Sequence, residues 1–243
     1  MKISVVTVCY NAVDLIEATI ESVAAQTYRD VEYIVIDGAS KDGTKEVIER
    51  HSDKITHWVS EPDKGIYDAM NKGIEAATGD YIIFMNAGDR FADSNVIEKV
   101  VPSLGRNTVV TGHWRRCYSD GTKKNASPKA LDAFRLEMPI CHQATFISLP
   151  YHKANPYDTS YRLSADYAFF YKAWKNGETF SYIDHVIADF IEAQGASTDN
   201  ITKSVMERKR AWQGEKDLFL RDLNLRYQIL RIKAIKLAKK LLK

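Results

Sequence analysis

Hydrophobic residues in the first hundred positions fall into short continuous runs separated by segments of helical spacing. Continuous runs rich in β-branched residues are typical of strands buried on both faces. Such runs lie at 3–8, 31–36, 55–59 and 81–85. Between them, apolar residues recur every three or four positions at 14–26, 45–51 and 66–77, which predicts helices. Strands alternating with helices predict an α/β fold, with a mostly parallel open sheet and helices on both faces.

The pattern becomes less regular after residue 105. It predicts strands at 108–114 and 143–148, one strand or two at 180–190, and helices at 164–175 and 198–213. We expect this half to complete the sheet and to form a lobe over the functional site. Residues 1–104 and 105–225 are therefore predicted to be two halves of one domain.

Composition fits a folded protein with one large core, since 45% of the 243 residues are hydrophobic and 27% are charged. The three cysteines have no metal-ligand spacing, and their odd number argues against a disulfide framework. We expect three reduced thiols in a cytosolic protein. The N-terminus lacks the pattern of a signal peptide, and no run approaches the ~18 apolar residues of a membrane span.

The basic charge is concentrated at the C-terminus. Residues 226–243 contain seven Lys or Arg and no acid. Since the net charge of the whole chain is +2, the remaining residues together carry a charge of about −5. The body of the protein is therefore not expected to bind nucleic acid. Apolar residues of this tail recur at helical spacing, with lysines on the other side. This predicts a basic amphipathic helix on an anionic membrane surface, at the cytoplasmic inner face of the cell membrane. Packing of the tail on the body or on a second subunit is the alternative.

Polar residues follow each of the four predicted strands. They are Cys9, Tyr10 and Asn11 after the first, 37–42 after the second, 61–65 after the third, and 86–89 after the fourth. The carboxyl ends of parallel strands meet at one edge of an open sheet, where ligands bind. A carboxylate-rich edge without a matching basic cluster predicts a divalent cation that bridges a diphosphate. Oxygen ligands suit Mg²⁺ or Mn²⁺.

Each of these residues also has a purely structural interpretation. Asp37 and Gly38 are typical of a turn, and Asp42 of a helix entry. Asp89 is a residue type that often caps a helix, and Lys64 with Gly65 would suit a solvated loop. The arrangement of all four segments around one sheet edge favours the binding interpretation.

The segments "ISVVTVCYNAVDLIEATIESVAAQTYRDVEYIVIDGASKDGT" and "EPDKGIYDAMNKGIEAATGDYIIFMNAGD" resemble the inverting family-2 glycosyltransferases of the GT-A fold. The resemblance is strongest to bacterial members that build surface polysaccharides. It is dense over residues 1–100 and sparser beyond. It implies a glycosyltransferase of the hexosyltransferase type, with a nucleotide-sugar donor and a saccharide or lipid-linked acceptor.

The resemblance also implies roles for individual residues. Asp37 would accept hydrogen bonds from a nucleotide base, most often uracil. Asp89 resembles the last carboxylate of the family's D-x-D metal motif, whose first position is Asn86 here. One charge fewer should weaken the metal site. The other donor contacts that the resemblance implies are Thr7, Tyr10, Asn11, Asp42, Lys64, Gly65, Asn86, Ala87, Gly88, His142 and Gln143.

Asp166, in "RLSADYAFF", is the candidate general base. An inverting transfer needs one carboxylate to take the proton from the acceptor hydroxyl as its oxygen attacks the anomeric carbon. The structural alternative is a carboxylate that interacts with the dipole at the start of a helix. Gly195 and Ser197, in "EAQGAST", resemble a family segment near the site.

Three other functions fit parts of the pattern. A nucleotidyltransferase of similar fold normally has a Gly-rich basic loop after the first strand, and "VTVCYNAVDL" has neither Gly nor Lys or Arg. A dinucleotide-dependent oxidoreductase needs G-x-G-x-x-G at that turn, and this sequence lacks it. A peripheral membrane scaffold would bind a sugar nucleotide without turning it over, which an assay of hydrolysis or transfer distinguishes.

Overall fold

The computed structural model describes residues 1–118, 120–191 and 201–212, together with residues 223, 226, 227 and 230. Gly195, Ser197 and most of the predicted tail helix lie outside these residues. The strands are β1 Ile3–Cys9, β2 Val31–Asp37, β3 His57–Ser60, β4 Tyr81–Phe84, β5 Arg90–Phe91, β6 Val109–Cys117, β7 Lys123–Ala126, β8 Thr145–Ser148 and β9 Phe180–Ile191. The α-helices are α1 Ile16–Ala24, α2 Thr44–Arg50, α3 Ile66–Ala76, α4 Val96–Val100, α5 Leu149–Ala154, α6 Ala165–Lys175 and α7 Ile201–Ala211.

All nine described strands belong to one mixed sheet, in the order β3-β2-β1-β4-β8-β6-β9-β5, with β7 paired to β6. Strands β1 to β4 are parallel to one another, which confirms the predicted α/β sheet. In the second half β8 runs antiparallel to both β4 and β6, whereas β9 is parallel to β6. The two predicted halves therefore share a continuous sheet.

The sheet must curl, because β4 and β5 are close in sequence but far apart in strand order. Four strand spacings separate them, which is about 19 Å across a flat sheet. The six steps from Phe84 to Arg90 reach about 20 Å only when fully extended. The segment between the strands contains a turn, since Asp89 N donates to Asn86 O at 2.9 Å. Curling brings the β9–β5 edge back toward the carboxyl end of β4.

Side chains from the two faces of the sheet form two separate cores. Along β1, Ile3 and Val5 pack in one core, whereas Val6 and Val8 pack in the other. The first core includes residues of α1, α2 and α4, and the second includes residues of α3, α5, α6 and α7. Burial of β1 on both faces agrees with its unbroken apolar sequence.

Some elements depart from the expected ones. The strand predicted at 143–148 begins at Thr145, because residues His142–Ala144 form a 3₁₀ turn. Phe180–Ile191 forms a single strand, whose pairing with β6 shifts register around His113. None of the described helices is both long enough and apolar enough to cross a membrane.

Candidate active site

The loops that follow β1 and β2 are joined by side-chain hydrogen bonds. Asn11 N donates to Ser40 Oγ at 2.8 Å, and Lys41 N donates to Asn11 Oδ1 at 3.0 Å. Asp42 Oδ2 accepts from Val13 N at 3.1 Å. Asn11 and Asp42, both expected to contact a donor, therefore hold the two loops in register at the carboxyl edge of the sheet.

Backbone strain is concentrated in the same loops. Asn11 and Ala39 have positive φ angles, 47° and 61°, and no other non-glycine residue in the described part of the chain does. Such conformations cost of order 1–3 kcal/mol each and occur most often at active sites and ligand clamps. For Ala39, which has no side-chain hydrogen bond to compensate, the surrounding loop must supply this energy.

Asp37 ends β2 at the predicted edge, but its side chain is fully buried. Its carboxylate accepts hydrogen bonds from Ser60 Oγ at 2.6 Å, from Ser40 N at 3.1 Å and from the Ser40 hydroxyl. The Cys9 thiol lies 3.6 Å away, and burial together with Asp37 raises the pKa of this thiol. Asp37 thus lies at the end of β2, as the sequence placed it, and its carboxylate already accepts three hydrogen bonds from the protein.

Tyr10, Gly38 and Asp63 meet at the edge where β1, β2 and β3 end. The Tyr10 side chain is 65% exposed, although aromatic rings are usually covered. A Cβ atom added to Gly38 would lie 2.4 Å from Asp63 Oδ2 and 3.3 Å from the Tyr10 ring. The absence of a side chain at Gly38 therefore leaves room for the Asp63 carboxylate and the exposed Tyr10 ring beside the same stretch of backbone.

The loop before α3 joins this edge to the second half of the chain. Gly65 N donates to Asp63 Oδ1 at 2.8 Å, and Lys64 N donates to Asp68 Oδ2 at 2.9 Å. The Arg162 guanidinium donates to Lys64 O. Gly65 has a φ of 126°, which other residues rarely adopt. Lys64 and Gly65 thus lie at the edge as expected.

A tight turn connects β4 to β5 and carries Asn86, Ala87, Gly88 and Asp89. Gly88, with a φ of 101°, donates its N–H to Thr19 Oγ1 at 2.9 Å. The Thr19 hydroxyl in turn donates to Asp89 O at 2.9 Å. Thr19 of α1 is fully buried, and its two hydrogen bonds connect the turn to this helix.

Thr7 lies beneath this turn and does not reach the surface of the edge. Its side chain is fully buried, and its hydroxyl donates to Met85 O at 2.7 Å and contacts Tyr33 Oη at 2.9 Å. Odd-numbered residues of β1 face the core that contains α1, which explains why the Thr7 side chain points into the protein. The expected contact between Thr7 and a donor is therefore corrected to a supporting position behind the turn.

Asp89 connects the turn to the last strand of the sheet. Its side chain is only 5% exposed, and its Oδ1 accepts from Ile191 N, at the end of β9, at 3.1 Å. Gln143 also donates to the carboxylate. Burial raises the pKa of Asp89 to about 7, although these two hydrogen bonds favour the charged form. Gln143, expected to touch a donor, here orients Asp89.

The turn fits a divalent cation that is completed by a substrate phosphate. Asn86 Oδ1 is buried and has no hydrogen-bond partner, which is rare for a buried amide oxygen. Mg²⁺ typically binds one or two carboxylates together with phosphates and waters. Among the described residues no three His, Cys, Asp or Glu side chains converge on a metal-holding position. Within the described part of the chain, Asn86 and Asp89 thus offer a sparse set of oxygen ligands.

Asp166 lies in the first turn of α6 and is half-buried. Tyr67 Oη, in the first turn of α3, donates to Asp166 Oδ1 at 2.8 Å. Tyr67 follows the loop of Lys64 and Gly65, so this bond links α6 to the carboxyl edge of the sheet. Asp166 is thereby a carboxylate that the second half of the chain brings to this edge.

His142 lies behind Asp166 in the core. Its Nε2 is 2.9 Å from Tyr157 Oη, and its ring packs on Phe84 with centroids 5.1 Å apart. Burial lowers the pKa of His142, although the nearby Asp166 carboxylate opposes this effect. The expected contact of His142 with a sugar or diphosphate is therefore corrected to a buried position, because the 3₁₀ turn directs the ring inward.

The open α/β sheet with these loops at its carboxyl edge is that of the GT-A glycosyltransferases. A family model described as "Glycosyl transferase family 2" matches residues 4–171. The chain belongs to this family and is a glycosyltransferase.

Curated relatives and solved structures agree with this assignment. An uncharacterized glycosyltransferase of Mycobacterium tuberculosis is 34% identical over 178 residues, covering 70% of this chain and 68% of the relative. A PGL/p-HBAD biosynthesis glycosyltransferase of Mycobacterium bovis is 26% identical over 84% of this chain and 82% of its own length. S. aureus TarS in complex with UDP-GlcNAc superposes with a TM-score of 0.68 at 16% identity, covering 93% of this chain and 70% of TarS. A mannosyltransferase of Pyrobaculum calidifontis in complex with GDP-Man and Mn²⁺ gives 0.66 at 17% identity, covering 87% and 63%.

Several residues of the site were not expected from the sequence. Thr19 and Tyr67 contact the candidate metal turn and the candidate base, and Ser40 and Ser60 contact Asp37. Each is a single hydroxyl in an ordinary helix, loop or strand. Of these four residues, Ser40 alone lies in a segment, 37–42, that the sequence placed at the edge.

Proposed function

We propose that this glycosyltransferase transfers a sugar, with inversion, from a UDP-sugar to a hydroxyl of a saccharide or lipid-linked saccharide in cell-surface polysaccharide synthesis. The observation that carries the proposal is the hydrogen bond from Tyr67 to Asp166, because it joins a carboxylate of the second half to the ligand-binding edge of the first. TarS with UDP-GlcNAc and the mycobacterial PGL/p-HBAD relative support the donor and the pathway class.

In the proposed reaction Asp166 is the general base. The acceptor oxygen attacks the anomeric carbon while the bond from that carbon to the diphosphate oxygen breaks. The acceptor proton passes to the Asp166 carboxylate, and the nucleoside diphosphate leaves with the bonding electrons. General base catalysis typically contributes ~10²–10⁴-fold.

The donor base is proposed to bind between Tyr10 and Asp63. The exposed Tyr10 ring offers a flat apolar face to a pyrimidine, and a carboxylate oxygen of Asp63 lies near this ring, beside the space that Gly38 leaves free. Asp37 supports this position through Ser40 and Ser60. Its hydroxyl partners would have to turn for Asp37 to accept a hydrogen bond from the base directly.

The diphosphate is proposed to lie over the turn of Asn86, Ala87, Gly88 and Asp89. Ala87 and Gly88 are small enough for phosphate oxygens to approach the backbone. Asn86 and Asp89 would hold Mn²⁺ or Mg²⁺, which stabilises the negative charge of the departing diphosphate when bound. The mannosyltransferase with GDP-Man and Mn²⁺ supports this role for a cation.

The proposal is tested first by a screen for donors. Thermal unfolding is measured with UDP- and GDP-sugars in the presence of Mn²⁺, since a ligand that binds the native state raises Tm. Release of nucleoside diphosphate from each stabilising donor is then measured, with water as the acceptor. We expect Asp166→Asn to bind the donor as the wild type does and to lose roughly 10²-fold or more in turnover.

Two outcomes would contradict the proposal. Near-normal turnover by Asp166→Asn would remove Asp166 as the base. Tight binding of a sugar nucleotide by the wild-type chain without any turnover would favour the alternative of a non-catalytic binding protein.

The tail is proposed to attach the enzyme to an anionic membrane. The described tail residues Tyr227 and Leu230 lie three positions apart, as on one face of a helix, and both are exposed. Residues 226–243 carry seven Lys or Arg, each worth about 1 kcal/mol near an anionic surface. Removal of 226–243 should abolish sedimentation with phosphatidylserine vesicles and leave UDP binding intact. If the shortened chain unfolds, or the full chain ignores such vesicles at low salt, the tail is a packing element.

A further inference from the structure

Tyr67 is a buried tyrosine whose hydroxyl faces a carboxylate. Its side chain is only 7% exposed, and its oxygen lies 2.8 Å from Asp166 Oδ1. The backbone N–H of Asp166 lies beside the same oxygen. Burial raises the pKa of the Tyr67 hydroxyl well above its ordinary value, and the Asp166 carboxylate adds to this effect. The hydroxyl therefore keeps its proton and acts as a donor.

The ring of Tyr67 is held from behind by other aromatic side chains. Its centroid is 5.4 Å from that of Tyr157, whose hydroxyl contacts His142 Nε2 at 2.9 Å. Phe84 packs against both Tyr157 and His142, with centroids 6.0 and 5.1 Å apart. This packing leaves the Tyr67 ring little freedom to rotate, so its hydroxyl is a fixed point in the site.

A fixed donor restricts how the carboxylate of Asp166 can turn. Hydrogen bonds to an ionised acceptor are about twice as strong as neutral ones. Engagement of Oδ1 by Tyr67 favours one rotamer of Asp166 and leaves Oδ2 for another partner. A small displacement of a reacting group can cost about 100-fold in rate, so such restriction has kinetic consequences.

We propose that Tyr67 is a positioning residue for Asp166: its hydroxyl holds Oδ1 so that Oδ2 is directed at the acceptor hydroxyl. This inference rests on the proposed function, since it requires Asp166 to be the base. Tyr67 touches neither substrate in this role. Its whole effect on the rate passes through Asp166.

The experiment is a double-mutant cycle with Tyr67→Phe and Asp166→Asn. Phenylalanine keeps the buried ring and removes only the hydroxyl. Tyr81→Phe is the matched control, because Tyr81 is equally buried and its hydroxyl bonds Asn107 O and Gly105 N at the other end of β4. For each variant, the rate of donor hydrolysis is measured with the sugar nucleotide found in the screen. The affinity for UDP in the presence of Mn²⁺ is measured by calorimetry, and Tm is measured by thermal unfolding. Single-turnover incubations resolve the slow Asp166→Asn reaction.

We expect Tyr67→Phe to lower kcat roughly 10- to 100-fold, while the Kd for UDP stays within about twofold. In the Asp166→Asn background the same change should alter kcat by less than about twofold, because the partner through which it acts is already removed. Tyr81→Phe should lower Tm without lowering kcat more than about twofold. A merely structural role for Tyr67 predicts instead that its effect on kcat is the same in both backgrounds.

Two results would overturn the positioning role alone. One is an Asp166→Asn variant that is impaired while Tyr67→Phe turns over normally. The other is an equal loss of kcat from Tyr67→Phe in both backgrounds. By contrast, full turnover by Asp166→Asn rejects the proposed function, and the role of Tyr67 is rejected with it.

Discussion

The Thr19 hydroxyl accepts a hydrogen bond from Gly88 N and donates one to Asp89 O, both at 2.9 Å. One buried side chain of α1 therefore satisfies two backbone groups of the turn that carries the candidate metal ligands. A buried polar group without a hydrogen-bond partner costs free energy. The two hydrogen bonds of Thr19 therefore stabilise this conformation of the turn relative to conformations that lack them. The geometry of Asp89 consequently depends on a residue that never reaches the ligand.

Thr19→Val should therefore loosen the turn while keeping the shape of the side chain. We expect the free energy of unfolding to fall by about 1–3 kcal/mol, because two backbone groups lose their partner. We also expect UDP affinity to lose part of its enhancement by Mn²⁺, measured by calorimetry. Thr111→Val is the control, since Thr111 is equally buried and donates to Ala144 O instead. An equal loss of Mn²⁺ enhancement in both variants would contradict the specific role of Thr19.

Asp89→Asn tests the cation more directly. The amide oxygen still accepts a hydrogen bond from Ile191 N, so the fold is preserved while the negative charge is lost. We expect UDP affinity to become nearly independent of Mn²⁺, whereas the wild-type affinity rises with the metal. Wild-type turnover that is unaffected by EDTA would show that the cation has no part in the reaction.

Gly38→Ala should weaken nucleotide binding without unfolding the protein. The added methyl group would lie 2.4 Å from Asp63 Oδ2, and this carboxylate can swing away toward solvent. We expect UDP affinity to fall about 10- to 100-fold, as for the loss of one hydrogen bond to a charged group. Gly73→Ala is the control, because its methyl group would meet Val6 in the core at 2.5 Å. It should lower Tm and leave the UDP affinity of the folded protein unchanged.

Glu32→Gln should change how stability depends on pH. Burial alone would raise the pKa of Glu32, but hydrogen bonds from Lys2, Ser4 and Thr78 outweigh it and hold the pKa at about 2, below the ordinary 4.5. The folded state therefore gains from the charged form above pH 4.5 and loses this gain as the pH falls toward 2.

At pH 7 the Gln variant should be about 1.5–3 kcal/mol less stable to urea than the wild type, and the difference should shrink in acid. Glu98→Gln is the control, since Glu98 is exposed and its one hydrogen bond comes from Thr27. A difference between wild type and Glu32→Gln that stays constant from pH 7 to pH 3 would contradict this interpretation.

The carboxyl edge of the sheet was predictable because its signals are local. Each buried strand is an unbroken apolar run, and the polar residues that follow it are adjacent in sequence. Tyr67 and Asp166 are 99 positions apart, and Thr19 and Asp89 are 70 apart. No local periodicity encodes such pairs.

The short elements of the fold were missed for a related reason. β5 has two residues and α4 has five, which is too short for a repeat of helix or strand spacing to appear. Burial of Thr7, Asp37 and His142 also depends on which face of an element is covered by distant segments. The resemblance to a family indicated which residues lie near the site. It did not indicate whether their side chains are exposed at the edge or buried in the core.

The hydrogen bond from Ile191 N to the Asp89 carboxylate has a consequence for how the protein folds during its synthesis. The two residues are 102 positions apart, and a ribosome adds roughly 5–20 residues per second. Asp89 therefore waits about 5 to 20 s on the nascent chain before its partner in β9 exists. During that interval the parallel strands β1 to β4 can pair, but the edge that β9 and β5 form cannot. The candidate site is thus completed only after β9, about a hundred residues further along the chain than Asp89, has been synthesised.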